Sequence, residues 1–224
     1  MATHKIVVNI QEKALKDLLR NGSKLCMARG VIDADGEETY NVVAYADAVS
    51  SVNTITFVDT YSMLGTTQEF QEGRTLQTDS SITLPIDFQQ VYDLHHADSA
   101  LVDNSPAAPK DGFAFINDVK ASAVVCLRSG PILNSMSEGA PNCPIFISPN
   151  PEVPSTTKLI PTDRVALWFQ HGIKTATMIC FSHMRHCCVI KLKGTTEAVM
   201  TYTDDYNWIS GSGSTSDSIK EGKA

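Results

Sequence analysis

The densest run of side chains with chemical potential is His183-Met184-Arg185-His186-Cys187-Cys188. Imidazole and thiolate are ligands for zinc or copper, and several of them from one segment form a common half-site. His183, His186 and Cys187 are therefore the metal candidates. In a strand, His183, Arg185 and Cys187 would point one way and His186 and Cys188 the other. A closed site would then need outside ligands such as His171 or Cys143. The bland reading is a hairpin loop over 182–186 followed by a buried strand whose cysteines act as small hydrophobes.

The same neighbourhood suits a flat organic molecule. Trp168, His171, His183, Met184, Arg185 and His186 combine aromatic and thioether surface with a few orienting polar groups. A guanidinium at Arg185 would stack on a ring or hydrogen-bond a carbonyl better than an ammonium. Elsewhere, His95-His96-Ala97-Asp98 offers imidazole and carboxylate, read more simply as a solvated loop. Asp204-Asp205 would suit a hard cation, or open a polar turn. No GxSxG, HExxH, GxGxxG or P-loop pattern occurs, so no residue is singled out for catalysis.

These residues must be carried by something, and Lys158–Phe181 is the segment that does it. Trp168, one of two tryptophans, sits in Val165-Ala166-Leu167-Trp168-Phe169. Pro161 and Asp163 punctuate the start, and His171-Gly172 separates this run from a second, Ile173 to Phe181. Thr, Ile, Val and aromatic residues predict two strands joined by a turn at 170–172, with Trp168 in the core. The same rhythm, turn residues every 8 to 12 positions, runs through most of the chain. One helix is predicted over 10–21, where Ile10, Leu15, Leu18 and Leu19 share a face and Asn21-Gly22 supplies the stop.

The expected fold is all-β: an antiparallel β-sandwich, possibly of two related halves, with one short N-terminal helix. The helix and first β half occupy 1–104, and the second half occupies 110–208. Leu94–Pro109 is read as the connecting loop and 209–224 as a flexible tail, though the whole may be a single domain. Leu25–Gly30 and Val125–Gly130 echo each other at a spacing of 100 residues, a faint repeat.

The chain has 224 residues, 42% hydrophobic and 19% charged, with a formal net charge of -7. That charge excludes partners held by clustered Lys and Arg, namely nucleic acid and anionic membrane. No 18-residue apolar run is present for a transmembrane helix. The first residues lack the apolar core of a signal peptide, so a cytoplasmic location is expected. The six cysteines lack CxxC spacing and are expected as free thiols.

Three segments carry a resemblance: Lys24–Arg29 with Tyr40–Val43, Pro161–Phe169 with Thr175–Ile179, and Thr201–Trp208. Together they resemble a basidiomycete family of small cytosolic β proteins that includes the pink chromoprotein of oyster mushrooms, over most of residues 10 to 208. The resemblance implies a non-enzymatic, fungal chromoprotein holding an indole-derived pigment non-covalently. It transfers no binding residue. A backbone-derived chromophore needs an aromatic residue directly before Gly, and none occurs here. Any colour must therefore come from a bound molecule or a metal ion. Two further readings stand beside the pigment: a cytosolic fungal lectin and a Cys/His metal-binding protein. The expected partners are a small aromatic molecule and a second copy of the chain, as a homodimer.

Overall fold

The computed structural model describes residues 2–78, 82–96, 99–134, 139–149, 153–184, 186–192 and 196–211. Arg185 and most of the expected tail lie outside them. The N-terminal part holds β1 (Thr3–Ile10), α1 (Glu12–Arg20), β2 (Ser23–Ile32), β3 (Glu38–Thr39) and β4 (Val43–Ala48). There follow β5 (Val52–Val58), β6 (Tyr61–Thr66), β7 (Leu84–Ile86), β8 (Gln90–His96) and β9 (Ser99–Asn104). The rest comprises β10 (Phe113–Asn117), β11 (Ser122–Ser129), β12 (Ile132–Leu133) and β13 (Pro141–Ile147). The long β14 (Ser155–His171), β15 (Cys188–Lys191), β16 (Glu197–Tyr202) and β17 (Trp208–Ser210) complete the strands.

The fold is all-β, sandwich-like, with one α-helix among the described residues. A five-stranded sheet runs β12-β5-β1-β16-β17, and a four-stranded sheet runs β13-β11-β6-β7. An eight-stranded sheet runs β3-β2-β14-β10-β8-β9, with β15 pairing β14 and β4 pairing β2. Most pairs are antiparallel, but β1 with β16 and β10 with β8 are parallel. All three sheets draw strands from both sides of residue 104. The main core gathers side chains from all three sheets, among them Ile6, Leu25, Phe57, Phe113, Val125, Phe146 and Leu167.

Strand alternation explains how β14 serves two cores at once. Val165 and Leu167 face the main core, with Phe169 packed against its edge. Ala166 and Trp168 face the other way into a second core, and β2 matches them with Cys26 and Ala28. Buried on both faces, this part of the sheet reads as a near-continuous apolar run. Trp168 is 1% exposed, as its neighbours predict.

Three expectations about the strands need correction. Pro161 and Asp163 do not start β14; they lie within it, at a bulge where the register with β2 shifts between Pro161 and Val165. A proline has no ladder N–H to give, and a bulge is where a strand tolerates that. The bulge carbonyls are still used: Thr162 accepts from Arg29 Nη2 at 2.9 Å and Asp163 from the Leu192 amide at 2.8 Å.

The run Ile173–Phe181 is not the return strand of a hairpin. After Gly172, whose φ of 72° makes the turn, the chain crosses over the outer face of β14. Ile173, Ile179, Phe181, Met184 and Cys187 cover Trp168 there. Its backbone is satisfied from both sides. The Ala176 amide donates to Val43 and the Val43 amide to Thr177, while the Leu76 amide donates to Ala176 and the Gly73 amide to Met178. Finally, Leu94–Pro109 is not a loop throughout, because it contains the end of β8 and all of β9.

The helix is shorter than the 10–21 expected, since Ile10 ends β1. It stops at Asn21, with Gly22 at a φ of 60°. Asp204, in the turn between β16 and β17, accepts the Ala14 amide at 3.0 Å and so takes up a free donor of the first turn. No helix of the described residues is long and apolar enough to cross a membrane.

Candidate functional site

The covering segment does not close completely. Between it and the loop 72–75 lies a cavity of about 420 Å³. Ile173, Met178, Ile179 and Met184, all buried, supply its apolar and thioether lining. Glu72, Gln170, His171 and Lys174 bring polar groups to it. The volume lies in the range of small-molecule sites, and polar and apolar groups share the lining about equally.

The residues expected from sequence fall into five situations. His171 and Met184 line the cavity. His183, on a short 3₁₀ turn (Phe181–His183), stands just outside, with Nδ1 3.0 Å from Oε1 of Glu72. Trp168 supports the site without lining it: the ring is enclosed in the second core, and its Nε1–H donates to Gln170 Oε1 at 2.9 Å. His186 is exposed and contributes its carbonyl, which accepts from Trp208 Nε1 at 2.9 Å. Arg185 falls outside the described residues.

Sequence reading missed Gln170, Glu72, Thr75, Ile173 and Thr177. Gln170 was within reach of inspection, since it sits two residues beyond Trp168 on the same strand face. Glu72 and Thr75 were not, because they meet the segment only through tertiary contacts, the Glu72–His183 side-chain pair and the Thr75–Thr177 bridge, formed across about a hundred residues of chain.

The metal candidates do not converge. Cys187 is buried at 2% exposure under β14 while His183 and His186 are exposed. Among the described residues, no group of three His, Cys, Asp or Glu side chains is placed to hold an ion. Strand alternation does not govern His183, His186 or Cys187, because the strand begins only at Cys188. All six cysteines are unbridged. Burial pushes the Cys26, Cys143 and Cys188 thiols up to about 12, which withholds the thiolate that metals and electrophiles require.

A second polar cluster is built on the opposite plan. Arg29, 1% exposed, places Nη1 3.1 Å from Asp59 Oδ1 and lies over the Phe57 ring, 4.9 Å from its centre. His4 Nε2–H donates to Asp59 Oδ2 at 2.7 Å, and the Tyr61 hydroxyl donates to Oδ1 at 3.3 Å. Burial would raise the Asp59 carboxyl, but the His4 hydrogen bond and the Arg29 charge outweigh it and hold it below the ordinary carboxylate value. The Asp59 carboxylate gathers these contacts, while His4 Nδ1 and Arg29 Nε are buried without a hydrogen-bond partner among the described residues. The cluster ties β1, β2 and β6 together, and its job is structural.

A second cavity, of about 340 Å³, lies at the turn between β2 and β3. Asp33, Asp35, Asn117, Ser148 and Thr157 contribute oxygens there. Much of that polarity is already engaged. Asn117 accepts the Val119 and Ala121 amides and donates to the Ala121 carbonyl, while Ser148 accepts the Ala123 amide.

No protein-family model matches the chain, and no curated protein and no solved structure matches it.

Proposed function

We propose that the chain is a non-enzymatic small-molecule-binding protein that holds a planar, indole-derived pigment non-covalently in the cavity between 170–179 and 72–75. The carrying observation is that cavity of about 420 Å³, with buried Ile173, Met178, Ile179 and Met184 lining it and polar groups beside them. Thioether and aliphatic surfaces gain by covering a flat conjugated ring, and a few polar groups suffice to fix its orientation. The pigment class comes from the family resemblance; the geometry supports the ligand's shape and polarity.

The test is an absorption spectrum of the purified protein followed by acid denaturation. A visible band that disappears on unfolding, with an organic molecule extracted from the supernatant, supports the proposal. A protein that stays colourless from its native source, and yields no extractable aromatic compound, defeats it.

The lectin reading has one observation in its favour, the oxygen-lined cavity at Asp33 and Asp35. Sugar hydroxyls pair well with carboxylates, although the engagement of Asn117 and Ser148 leaves fewer groups to recognise them. Erythrocyte agglutination reversed by free sugar would favour that reading over the pigment.

A further inference from the structure

Nearly every strand that ends a sheet is guarded against a further strand. β13 carries Pro141 and Pro144, and β7 carries Pro85. β3, β12 and β17 are two or three residues long, and the four-residue β15 ends on Lys191. The free side of β4 is taken by the covering segment, through Thr177, Ala176 and the Thr175 hydroxyl. Prolines, lysines, short lengths and covering loops are the usual guards. Among the described residues β9 has none of them. It is six residues without proline or lysine, and β8 is its one neighbour in the sheet. Two bonds fix which way its backbone groups point. The Ser105 amide, just past the strand, turns inward to the Gln89 carbonyl at 3.4 Å. The Asn104 amide is taken instead by Asp103 Oδ1 at 2.7 Å. Alternation along an extended strand then points the N–H and C=O of Ala100 and Val102 outward. Their side chains pack against the main core. Leu101 stands on the other face, 66% exposed, the most of any large apolar side chain described.

We infer that β9 is a docking edge whose occupant is the β9 strand of a second copy, paired antiparallel about a two-fold axis through Leu101. The axis stands normal to the sheet, so the core-facing residues of both copies stay on one side. Ala100 and the partner's Val102 then exchange both ladder bonds, and the symmetric pair repeats them. Leu101 meets the partner's Leu101 in the non-hydrogen-bonded position, where side chains come closest. The Ser99 hydroxyl donates to the carboxylate of the partner's Asp103, and no like charges oppose each other. Neighbouring registers lose this match. Centred on Val102, the pairing sets Leu101 against the partner's Asp103; centred on Ala100, it sets Leu101 against the partner's Ser99. The side-chain order of β9 therefore fits a copy of itself in one register. The inference does not depend on the pigment.

Sedimentation equilibrium of the full chain over a concentration series should show a reversible monomer–dimer equilibrium, since one edge strand makes a small interface. Val102→Pro deletes an outward N–H and leaves the ladder with β8 intact, the kind of position where a strand tolerates proline. Leu101→Lys replaces the apolar centre by two facing charges. Each should weaken the dimer at least ~10-fold while circular dichroism stays that of the wild type. Val52→Lys, at an exposed apolar residue of another sheet, should leave it unchanged. The register is read by cross-linking. Leu101→Cys should form a disulfide-linked dimer under mild oxidation, because directly opposed residues lie at disulfide distance. Asp103→Cys, opposite the partner's Ser99, should not, and the unaltered protein controls for the native cysteines. A wild type that stays monomeric at every concentration overturns the inference. So does a dimer that survives both β9 substitutions, which places the interface elsewhere. Cross-linking through Asp103→Cys and not through Leu101→Cys overturns the two-fold at Leu101.

Discussion

His4 and His183 each face a carboxylate, at 2.7 Å and 3.0 Å, yet the two regions they belong to do opposite work. Around His4 every group is turned inward: Asp59 takes hydrogen bonds from His4 and Tyr61 and the charge of Arg29, and the guanidinium is sealed against Phe57. Around His183 the ion pair with Glu72 is exposed, and the groups nearby open onto a cavity of mixed polar and apolar lining. The same chemistry stabilises a fold where it is closed and leaves donors and acceptors free where it is open. Burial, rather than residue type, separates structural polarity from binding polarity.

The contrast predicts a descending series of effects. The largest belongs to the foundation of the open region. Trp168→Ala removes the biggest side chain of the second core and should cost about 3–5 kcal/mol, read by denaturant unfolding. It also releases the Gln170 amide, so the cavity should lose affinity by more than the fold loses stability. Wild-type stability in this variant would show that the covering segment collapses into the space and that the second core is not rigid.

Next comes the closed region. Asp59→Asn leaves the buried Arg29 without its counter-charge. Breaking a fully buried pair costs about 3–5 kcal/mol, and because the Asp59 side chain is 26% exposed a discounted loss of about 2 kcal/mol is expected. The pH dependence follows in sign. Asp59 has its carboxyl lowered in the folded state, so its contribution is present above the unfolded value of about 3.9 and disappears as the pH falls through the folded value. The wild type should therefore lose stability below about pH 4, and Asp59→Asn should lose less over the same interval. Parallel acid-unfolding curves would contradict the role given to the cluster.

How much of this was legible in the sequence follows from the range of the forces involved. Turn spacing, the apolar run through Trp168 and the Asn21-Gly22 stop are local signals, and the all-β class, the buried tryptophan and the end of α1 follow from them. The strand β9 was hidden because it is an edge strand. Most of its residues face solvent, so its composition imitates a loop. Ile173–Phe181 misled for the opposite reason. A segment that covers a sheet needs the same apolar side chains as a strand within it, and only the backbone partners at Val43, Arg74 and Leu76 tell the two apart. Of the candidate site, His171 and Met184 were legible as residue types, while Glu72 enters through a tertiary bond that no periodicity records. The spacing-100 echo meets a similar limit: Leu25–Gly30 lies in β2 of the largest sheet, whereas Val125–Ser129 lies in β11 of the smallest.

A smaller effect sharpens the open side of the comparison. Glu72→Gln removes the charge facing His183, with both side chains substantially exposed at 46% and 65%. Exposed pairs contribute about 0–1 kcal/mol, so unfolding midpoints should hardly move. Ligand affinity in the cavity should respond more than stability does, since Glu72 lines it. A stability loss as large as that of Asp59→Asn would erase the distinction between the two regions.

The smallest effect concerns a third histidine, which shares the carboxylate chemistry but has neither a core beneath it nor a cavity beside it. His95 on β8 places Nδ1 2.5 Å from Asp118 and Nε2 3.0 Å from Asp93. With a carboxylate on each nitrogen, the charged ring satisfies both, and the Asp118 hydrogen bond followed by the Asp93 charge raises the His95 pKa above its ordinary value. The sign is opposite to that of Asp59. A group raised on folding contributes fully below its unfolded value of about 6.5 and loses that contribution as the pH rises through the folded value. Melting temperatures should therefore decline slightly from pH 6 toward pH 8 in the wild type and stay flatter in His95→Gln. Solvent and salt screen so exposed a cluster, so the difference between the two proteins should shrink as ionic strength rises. A decline that survives high salt, or that persists in His95→Gln, would assign the titration to another group and remove His95 from the comparison.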